Sequence, residues 1–146
     1  VPFFADEAYE DYAIAFENDT LFTRHHINTE GLFDGRTSVV QANGQTIPLV
    51  RDLFATDALI FKDLQSKSVR IVSRKHNKQL RVDFEGFPYL GIWAKTGADY
   101  VCIEPWIGCA DADGFTEDFT KKEQVVLLEA GSTFRVAFGV TLEFTK

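Results

Sequence analysis

A glutamate beside a tryptophan, at the end of a short apolar run, is the feature of this sequence best suited to chemistry. Glu104 lies in the run Val101-Cys-Ile-Glu-Pro-Trp106. The run reads as a strand, in which side chains alternate between faces, so Glu104 and Trp106 share one face. Val101 and Ile103 lie on the other face, which we expect to be core. A carboxylate is costly to bury unpaired, so Glu104 is expected to face a cleft, a partner or solvent.

The preceding strand supplies a second tryptophan and a glycine, across a turn at Thr96-Gly97-Ala98. If the connecting loop has an even number of residues, Trp93 falls near Cys102 and Gly91 falls opposite Glu104. A glycine across from a carboxylate leaves room for a ligand, and Trp93 then offers a flat apolar wall for a sugar ring. An odd loop would place Trp93 in the core, and a plain packing role stays open for it.

Composition limits the classes of function. The chain has 146 residues, of which 45% are hydrophobic and 25% charged, as in one globular domain. A net charge of −7 argues against nucleic acid or an anionic membrane as partner. No apolar run approaches the ~18 residues of a membrane span. Cys102 and Cys109 are too few for a disulfide framework, so a reduced, cytoplasmic setting is expected.

Neither a metal nor a cofactor is expected. The three histidines, His25, His26 and His76, show no ligand spacing. His25 and His26 are interpreted as solvated or subunit-contact residues. Asp111 and Asp113 faintly resemble a calcium loop, but the later ligands are missing at the required offsets, which favours an ordinary acidic loop.

Strand signals recur along the chain, while long helical periodicity and internal repeats are missing. The pattern predicts an all-β protein, an antiparallel β-sandwich. The predicted strands are 12–16, 20–27, 37–41, 45–49, 58–61, 68–74, 79–85, the two around Thr96-Gly97-Ala98, 123–131 and 132–144.

Three local sequence signals predict the structure at particular positions. Asn43-Gly44 predicts a hairpin between 37–41 and 45–49, with Pro48 confining the second arm to a short or edge strand. Residues 51–57 are expected to form one helical turn. Pro105 is expected to end or bulge the strand pairing directly after Glu104.

The last predicted strand, 132–144, is expected to be buried on one face. Its alternate residues are large and apolar over six repeats, so we expect one deeply buried face. The residues of that face are Phe134, Val136, Phe138, Val140, Leu142 and Phe144.

Three blocks together resemble the aldose 1-epimerase (galactose mutarotase) superfamily, most closely its bacterial LacX-type branch. They are Leu53-Phe-Ala-Thr-Asp-Ala-Leu-Ile-Phe61, Phe87-Pro-Tyr-Leu-Gly-Ile-Trp93 and Val101-Cys-Ile-Glu-Pro-Trp-Ile-Gly-Cys-Ala-Asp111. The resemblance implies a galactose mutarotase-like supersandwich about twice this length. Residues 1–146 would then be the C-terminal half of one domain, and the lack of any methionine fits a fragment.

The resemblance also implies roles. Glu104 is the catalytic base, and Asp57 hydrogen-bonds sugar hydroxyls, although a cap or turn carboxylate is the plain alternative for Asp57. Trp93 and Trp106 contact the substrate. The general acid is a histidine of the missing N-terminal half, so the chain alone is expected to be inactive, or nearly so. Its expected partners are a hexose and that N-terminal half, or else a second copy through self-association.

Three other functions remain open from the residues themselves. A non-catalytic carbohydrate-binding sandwich would use the same tryptophans for stacking alone. A glycosidase needs a second carboxylate at roughly 5–10 Å from the first, and Asp57, Asp99 and Asp111 are candidates. A structural interaction domain would show no concave face around Glu104.

Overall fold

Ten β-strands and two 3₁₀ turns make up the regular structure of residues 6–144, the part of the chain that this computed structural model describes. The strands are β1 (Tyr12–Phe16), β2 (Thr23–Ile27), β3 (Phe33–Val39), β4 (Thr46–Pro48), β5 (Leu59–Phe61), β6 (Ser68–Ser73), β7 (Lys78–Asp83), β8 (Tyr89–Trp93), β9 (Cys102–Trp106) and β10 (Gly139–Phe144). The 3₁₀ turns are Tyr9–Asp11 and Phe119–Lys121.

The strands form two five-stranded sheets in which every neighbouring pair is antiparallel. The first sheet has the order β10-β7-β6-β1-β4, and the second has the order β3-β2-β5-β8-β9. The predicted antiparallel β-sandwich is therefore confirmed. Within residues 6–144 no helix is long and apolar enough to cross a membrane.

The core lies between the sheets because each strand turns its alternate apolar residues inward. In β1, Ile14 and Phe16 are buried, as the alternation predicts. The rings of Phe16, Phe22 and Phe61 meet at centroid distances of 4.5 to 6.1 Å, which joins β1 to β5 of the other sheet. The predicted hairpin of β6 and β7 is also confirmed, with Val69 opposite a buried Val82.

The hairpin predicted at Asn43-Gly44 is wrong, although its turn forms. The amide of Asn43 donates to the Thr46 carbonyl at 2.7 Å, and Gly44 has a positive φ of 60°. The two arms then diverge, since β3 pairs with β2 and β4 pairs with β1. The turn thus carries the chain from one sheet to the other. Because β4 is a three-residue edge strand, the placement expected from Pro48 is confirmed.

The helical turn predicted over 51–57 is replaced by a series of tight turns. Amides of Leu53, Ala55 and Asp57 each donate to a carbonyl three residues earlier, at 3.0 to 3.1 Å. Asp57 ends the series with a φ of 115°, which no helix contains. The turns bury Phe54 while they carry the chain into β5.

The long buried strand predicted over 132–144 is wrong in length and in burial. Only Gly139–Phe144 is a strand, and the predicted strand over 123–131 does not form. Phe138 is 59% exposed and Phe144 is 63% exposed. β10 pairs with β7 along one edge, and no described segment lies along its other edge.

Candidate functional site

The β8–β9 ladder presents Glu104, and its register is the one predicted for an even loop. Gly91 lies opposite Glu104, and Trp93 lies opposite Cys102. Residues paired across an antiparallel ladder share a face, so the glutamate, both tryptophans and Cys102 point to the same side. Val101 on the other side is fully buried, as predicted.

Strand pairing does not stop after Glu104, so the expectation based on Pro105 is wrong. Pro105 lies opposite Leu90, and Trp106 lies opposite Tyr89. Since β9 is the outermost strand of its sheet, a residue without an N–H group can be accommodated there.

The Glu104 side chain is partly exposed. Among residues 6–144, no lysine, arginine or histidine nitrogen lies within 4.0 Å of its carboxylate. Its electrostatic neighbour is Cys102: burial raises the pKa of the Cys102 thiol, and the Glu104 carboxylate raises it further. The same thiol is a hydrogen-bonding neighbour of the Glu104 carboxylate.

The room that glycine leaves opposite Glu104 is occupied by protein, which corrects the expectation of an open space for a ligand. A Cβ atom added to Gly91 would lie 2.7 Å from Cζ2 of Trp106. The indole of Trp106 thus lies against Gly91, beside the carboxylate. Trp93 is partly buried against the core, and its ring meets Tyr100 edge-on at 6.4 Å.

The face that carries Glu104, here called the outer face, extends over the second sheet. His25, Ile60, Gly91 and Glu104 occupy one row of paired positions across β2, β5, β8 and β9. At about 4.8 Å per strand, His25 lies about 14 Å from Glu104, too far to share one sugar ring with it. His25 instead lies 3.6 Å from the Asp63 carboxylate.

Asp57 lies in the turn before β5, and no described contact joins it to Glu104. Its carboxylate accepts a hydrogen bond from the Ala58 amide at 2.6 Å. Its charged neighbour is Arg24, whose side chain is only 6% exposed and donates to the Thr56 hydroxyl at 2.6 Å. Burial lowers the pKa of Arg24, and the Asp57 charge opposes that shift.

Sequence reasoning missed Arg24. The available signal was the spacing of two residues between Phe22, which precedes β2, and Arg24. In an extended chain this spacing places both side chains on the same, buried side.

A polar cluster at one end of the outer face was also missed. Lys62 donates to Glu123 at 2.7 Å, and the Tyr89 hydroxyl donates to the same carboxylate. The Lys62 ammonium also lies 4.0 Å from the centroid of the Phe33 ring. Lys62 and Tyr89 sit two residues from Ile60 and Gly91, so they belong to the same face. Glu123 comes from a distant segment, which is why local pattern does not find it.

The segment after β9 continues past this cluster and forms a cavity of about 440 Å³. Its walls include Cys109, Phe119, Val126 and Phe134. Lys122 forms an ion pair with Asp111 at 2.7 Å, so one carboxylate of the acidic loop is paired with a lysine of the same segment. In the described part of the chain, no group of three His, Cys, Asp or Glu side chains is placed to hold a metal ion.

The fold places the chain in a structural class, that of galactose mutarotase-like proteins. A galactose mutarotase-like protein from Lactobacillus casei ATCC 334 matches with a TM-score of 0.80 and 27% identity, over 92% of this chain and 47% of that one. A galactose mutarotase related enzyme from Lactobacillus acidophilus matches with a TM-score of 0.83 and 28% identity, over 98% of this chain and 48% of that one.

More particularly, the sequence is similar to the LacX proteins of Lactococcus lactis subsp. lactis. The plasmid-encoded protein is 32% identical and the chromosomal one 31% identical, each over 145 residues. The resemblance to the LacX-type branch of the galactose mutarotase superfamily is thereby confirmed. The alignments cover 97% of this chain but 48% of each relative, so the chain spans about half their length. No protein-family model matches the chain.

Proposed function

We propose that this chain carries the base-bearing part of an aldose 1-epimerase-like enzyme, which interconverts the α and β anomers of a free hexose. One observation carries the proposal. Glu104, in a galactose mutarotase-like fold, stands on an outer sheet face beside an indole, and no cationic side chain of residues 6–144 is paired with it. Such a carboxylate can accept a proton without first breaking an ion pair to one of those side chains.

Mutarotation requires two proton transfers and a bond rotation. Glu104 takes the proton of the C1 hydroxyl, while an acid protonates the ring oxygen, and the ring opens. The C1–C2 bond then rotates, and the C5 hydroxyl closes on the other face of C1. During closure it returns its proton to the acid while Glu104 gives its proton back to the C1 oxygen, which yields the second anomer. Each well-placed proton transfer contributes about 10²–10⁴-fold to the rate. Trp106 and Trp93 supply apolar contact for the sugar ring, and Asp57 accepts hydrogen bonds from its hydroxyls.

The acid is proposed to come from a second polypeptide segment. The nearest histidine in the row of Glu104 is His25, about 14 Å away by strand spacing. The relatives contain about as many residues again as this chain matches. We assign the acid, a histidine, to the N-terminal half of the supersandwich, of which residues 1–146 form the other half.

The docking surface for that half is the apolar face at the C-terminal end. We define the C-terminal apolar face by its six exposed side chains, Phe134, Val136, Phe138, Val140, Leu142 and Phe144. The adjoining edge of β10 has no strand beside it among the described residues. An apolar, hydrogen-bonding strand edge of this kind favours addition of a further strand.

A coupled anomer assay tests the proposal. The chain alone should be inactive or nearly so. With the missing half supplied as a separate polypeptide it should catalyse anomer exchange. Glu104→Gln should then lower kcat about 10²–10⁴-fold, while Glu129→Gln, on an exposed turn, should leave it unchanged. Full activity of Glu104→Gln would overturn the assignment of the base.

A carbohydrate-binding sandwich without catalysis is the second candidate. It is favoured by the lack of a histidine beside Glu104 among residues 6–144. In that case sugar binding survives Glu104→Gln, and the assembled protein shows no anomer exchange.

A further inference from the structure

Gly91 stands in the middle of β8, where nothing in the backbone requires a glycine. Its φ lies outside the left-handed region, so any L-residue can adopt the same conformation. A glycine inside a strand costs backbone entropy and contributes no packing, and it often marks a close approach of another group. We therefore expect a neighbouring group that needs the room a side chain at position 91 would take.

Trp106 fills that space. It lies opposite Tyr89, which makes it the diagonal neighbour of Gly91 on the same face. A Cβ atom at position 91 would lie 2.7 Å from Cζ2, 3.0 Å from Cε2 and 3.3 Å from Cη2 of the indole. All three atoms belong to the six-membered ring, which is a rigid group and cannot bend away. Any side chain at position 91 must displace the whole indole.

We propose that Gly91 is a positioning residue that strengthens sugar binding by seating the Trp106 indole beside Glu104. Because Gly91 is the cross-strand partner of Glu104, the seated ring adjoins the carboxylate. The ring then offers an apolar surface on which the apolar side of a pyranose stacks while its anomeric hydroxyl meets Glu104. The stacking role rests on the proposed function, whereas the seating of Trp106 is a property of this chain by itself.

Fluorescence tests the seating. The chain has two tryptophans, so Trp93→Phe leaves Trp106 as the single emitter. In that background Gly91→Ala should shift the emission to longer wavelength and increase quenching by acrylamide. Gly139→Ala is the matched control, since that glycine also lies in a strand and its added Cβ meets Asp83 only at 3.7 Å. Unchanged emission and quenching in Gly91→Ala would overturn the seating.

If Gly91→Ala folds poorly, a double-mutant cycle with Trp106→Ala shows whether the indole is the cause. Combined with Trp106→Ala, the alanine at position 91 has no indole to displace. Its effect on the urea midpoint should therefore largely disappear in that background. An equal loss with and without the indole would show that Gly91 serves some other purpose and would overturn the proposal.

Calorimetric titration with D-galactose tests the stacking. In the native background Gly91→Ala should weaken affinity about fivefold to tenfold, while Gly139→Ala leaves it unchanged. A displaced indole with unaltered affinity for D-galactose would overturn the role of Gly91 in sugar binding. Lack of binding by the unmodified chain would instead contradict the proposed sugar site, and the fluorescence result would still decide the seating.

Discussion

Two charged residues, Arg24 of β2 and Asp57 of the turns before β5, depend on one another. Arg24 is almost fully buried, and the charge that offsets its desolvation belongs to Asp57. Its Nε atom has no hydrogen-bond partner among the described residues. A buried guanidinium that loses its counter-charge is destabilised in proportion to its isolation from water.

Asp57→Asn should therefore destabilise the fold as well as weaken any sugar contact. The substitution keeps the side-chain shape and removes the charge near Arg24. Because Asp57 itself is exposed and screened by solvent, we expect a loss of about 1 kcal/mol in the free energy of unfolding. Urea denaturation measures it, with Asp52→Asn in the same exposed series of turns as the control. Equal stability of the two variants would contradict the pairing.

The contribution of the Glu123 carboxylate to the stability of the fold should depend on pH. Burial raises its pKa, but hydrogen bonds from Lys62 and Tyr89 lower it more, so the pKa lies below its ordinary value of 4.5. A depressed pKa means that the contact stabilises the fold above pH 4.5 and is lost as the pH falls below that value. The free energy of unfolding should therefore fall more steeply on acidification than it does without this group.

Thermal denaturation of Glu123→Gln checks this. The variant should be less stable than the parent at pH 7, and the difference should shrink toward pH 3. Glu129→Gln, an exposed position, serves as the control and should differ little from the parent at either pH. A difference that stays constant with pH would show that the ionised form of Glu123 contributes nothing to stability.

A buried polar contact joins the β1–β2 loop to the β5–β6 loop. Asp19, in the β1–β2 loop, accepts hydrogen bonds from the amides of Gln65 and Ser66 at 2.9 and 2.8 Å. The Ser66 hydroxyl in turn accepts from the amides of Glu17 and Asn18, both at 3.0 Å. Asp19 is 7% exposed and Ser66 is fully buried, so water cannot replace these bonds.

Asp19→Ala should accordingly be among the costliest substitutions on a polar residue. It leaves a buried amide at Ser66 without an acceptor, which predicts a loss of about 3 kcal/mol in the free energy of unfolding. The loss should appear as a lower urea midpoint with an unchanged slope. Asp113→Ala, at an exposed loop position, is the control. A loss below that of the control would contradict this account of the loops.

Elements were predictable where a strand and its partner adjoin in sequence. The β6–β7 hairpin follows from alternation and is confirmed. For β8 and β9, alternation left two registers open, one for an even and one for an odd loop, and the structure has the even one. The Asn43-Gly44 turn carries the same local signal, but its arms belong to different sheets. Sheet assignment depends on the partners β1 and β2, which are distant in sequence. Local pattern specifies a turn but cannot specify where its arms go.

In the candidate site, too, contacts within one hairpin were open to prediction from the sequence, and contacts between distant segments were not. Alternation in one hairpin placed Glu104 opposite Gly91 on condition that the loop is even, and the structure meets that condition. The indole seated on Gly91 depends on a side-chain rotamer, and Arg24 and Glu123 reach their partners across 32 and 61 positions of the chain. Such contacts are tertiary, and alternation carries no information about them. The roles of Asp57, Trp93 and Trp106 in sugar binding stay predictions.

At the scale of the whole molecule, alternation identified an apolar face but not what covers it. The C-terminal apolar face has the period of a buried strand, yet its six side chains are 38% to 63% exposed. The same sequence therefore predicts two states, covered with a partner and exposed without one. Large exposed apolar patches rarely persist on soluble monomers.

Without its partner the chain should self-associate through this face. The net charge of −7 opposes association, so screening by salt should strengthen it, as should a higher protein concentration. Sedimentation velocity should show a shift from monomer to larger species, which Phe138→Glu combined with Leu142→Glu abolishes. Leu21→Glu is the matched control, since Leu21 is 68% exposed but lies in the β1–β2 loop. If both variants associate like the parent, another surface is responsible. If the double variant is monomeric but still binds the missing half, the docking surface proposed above is wrong.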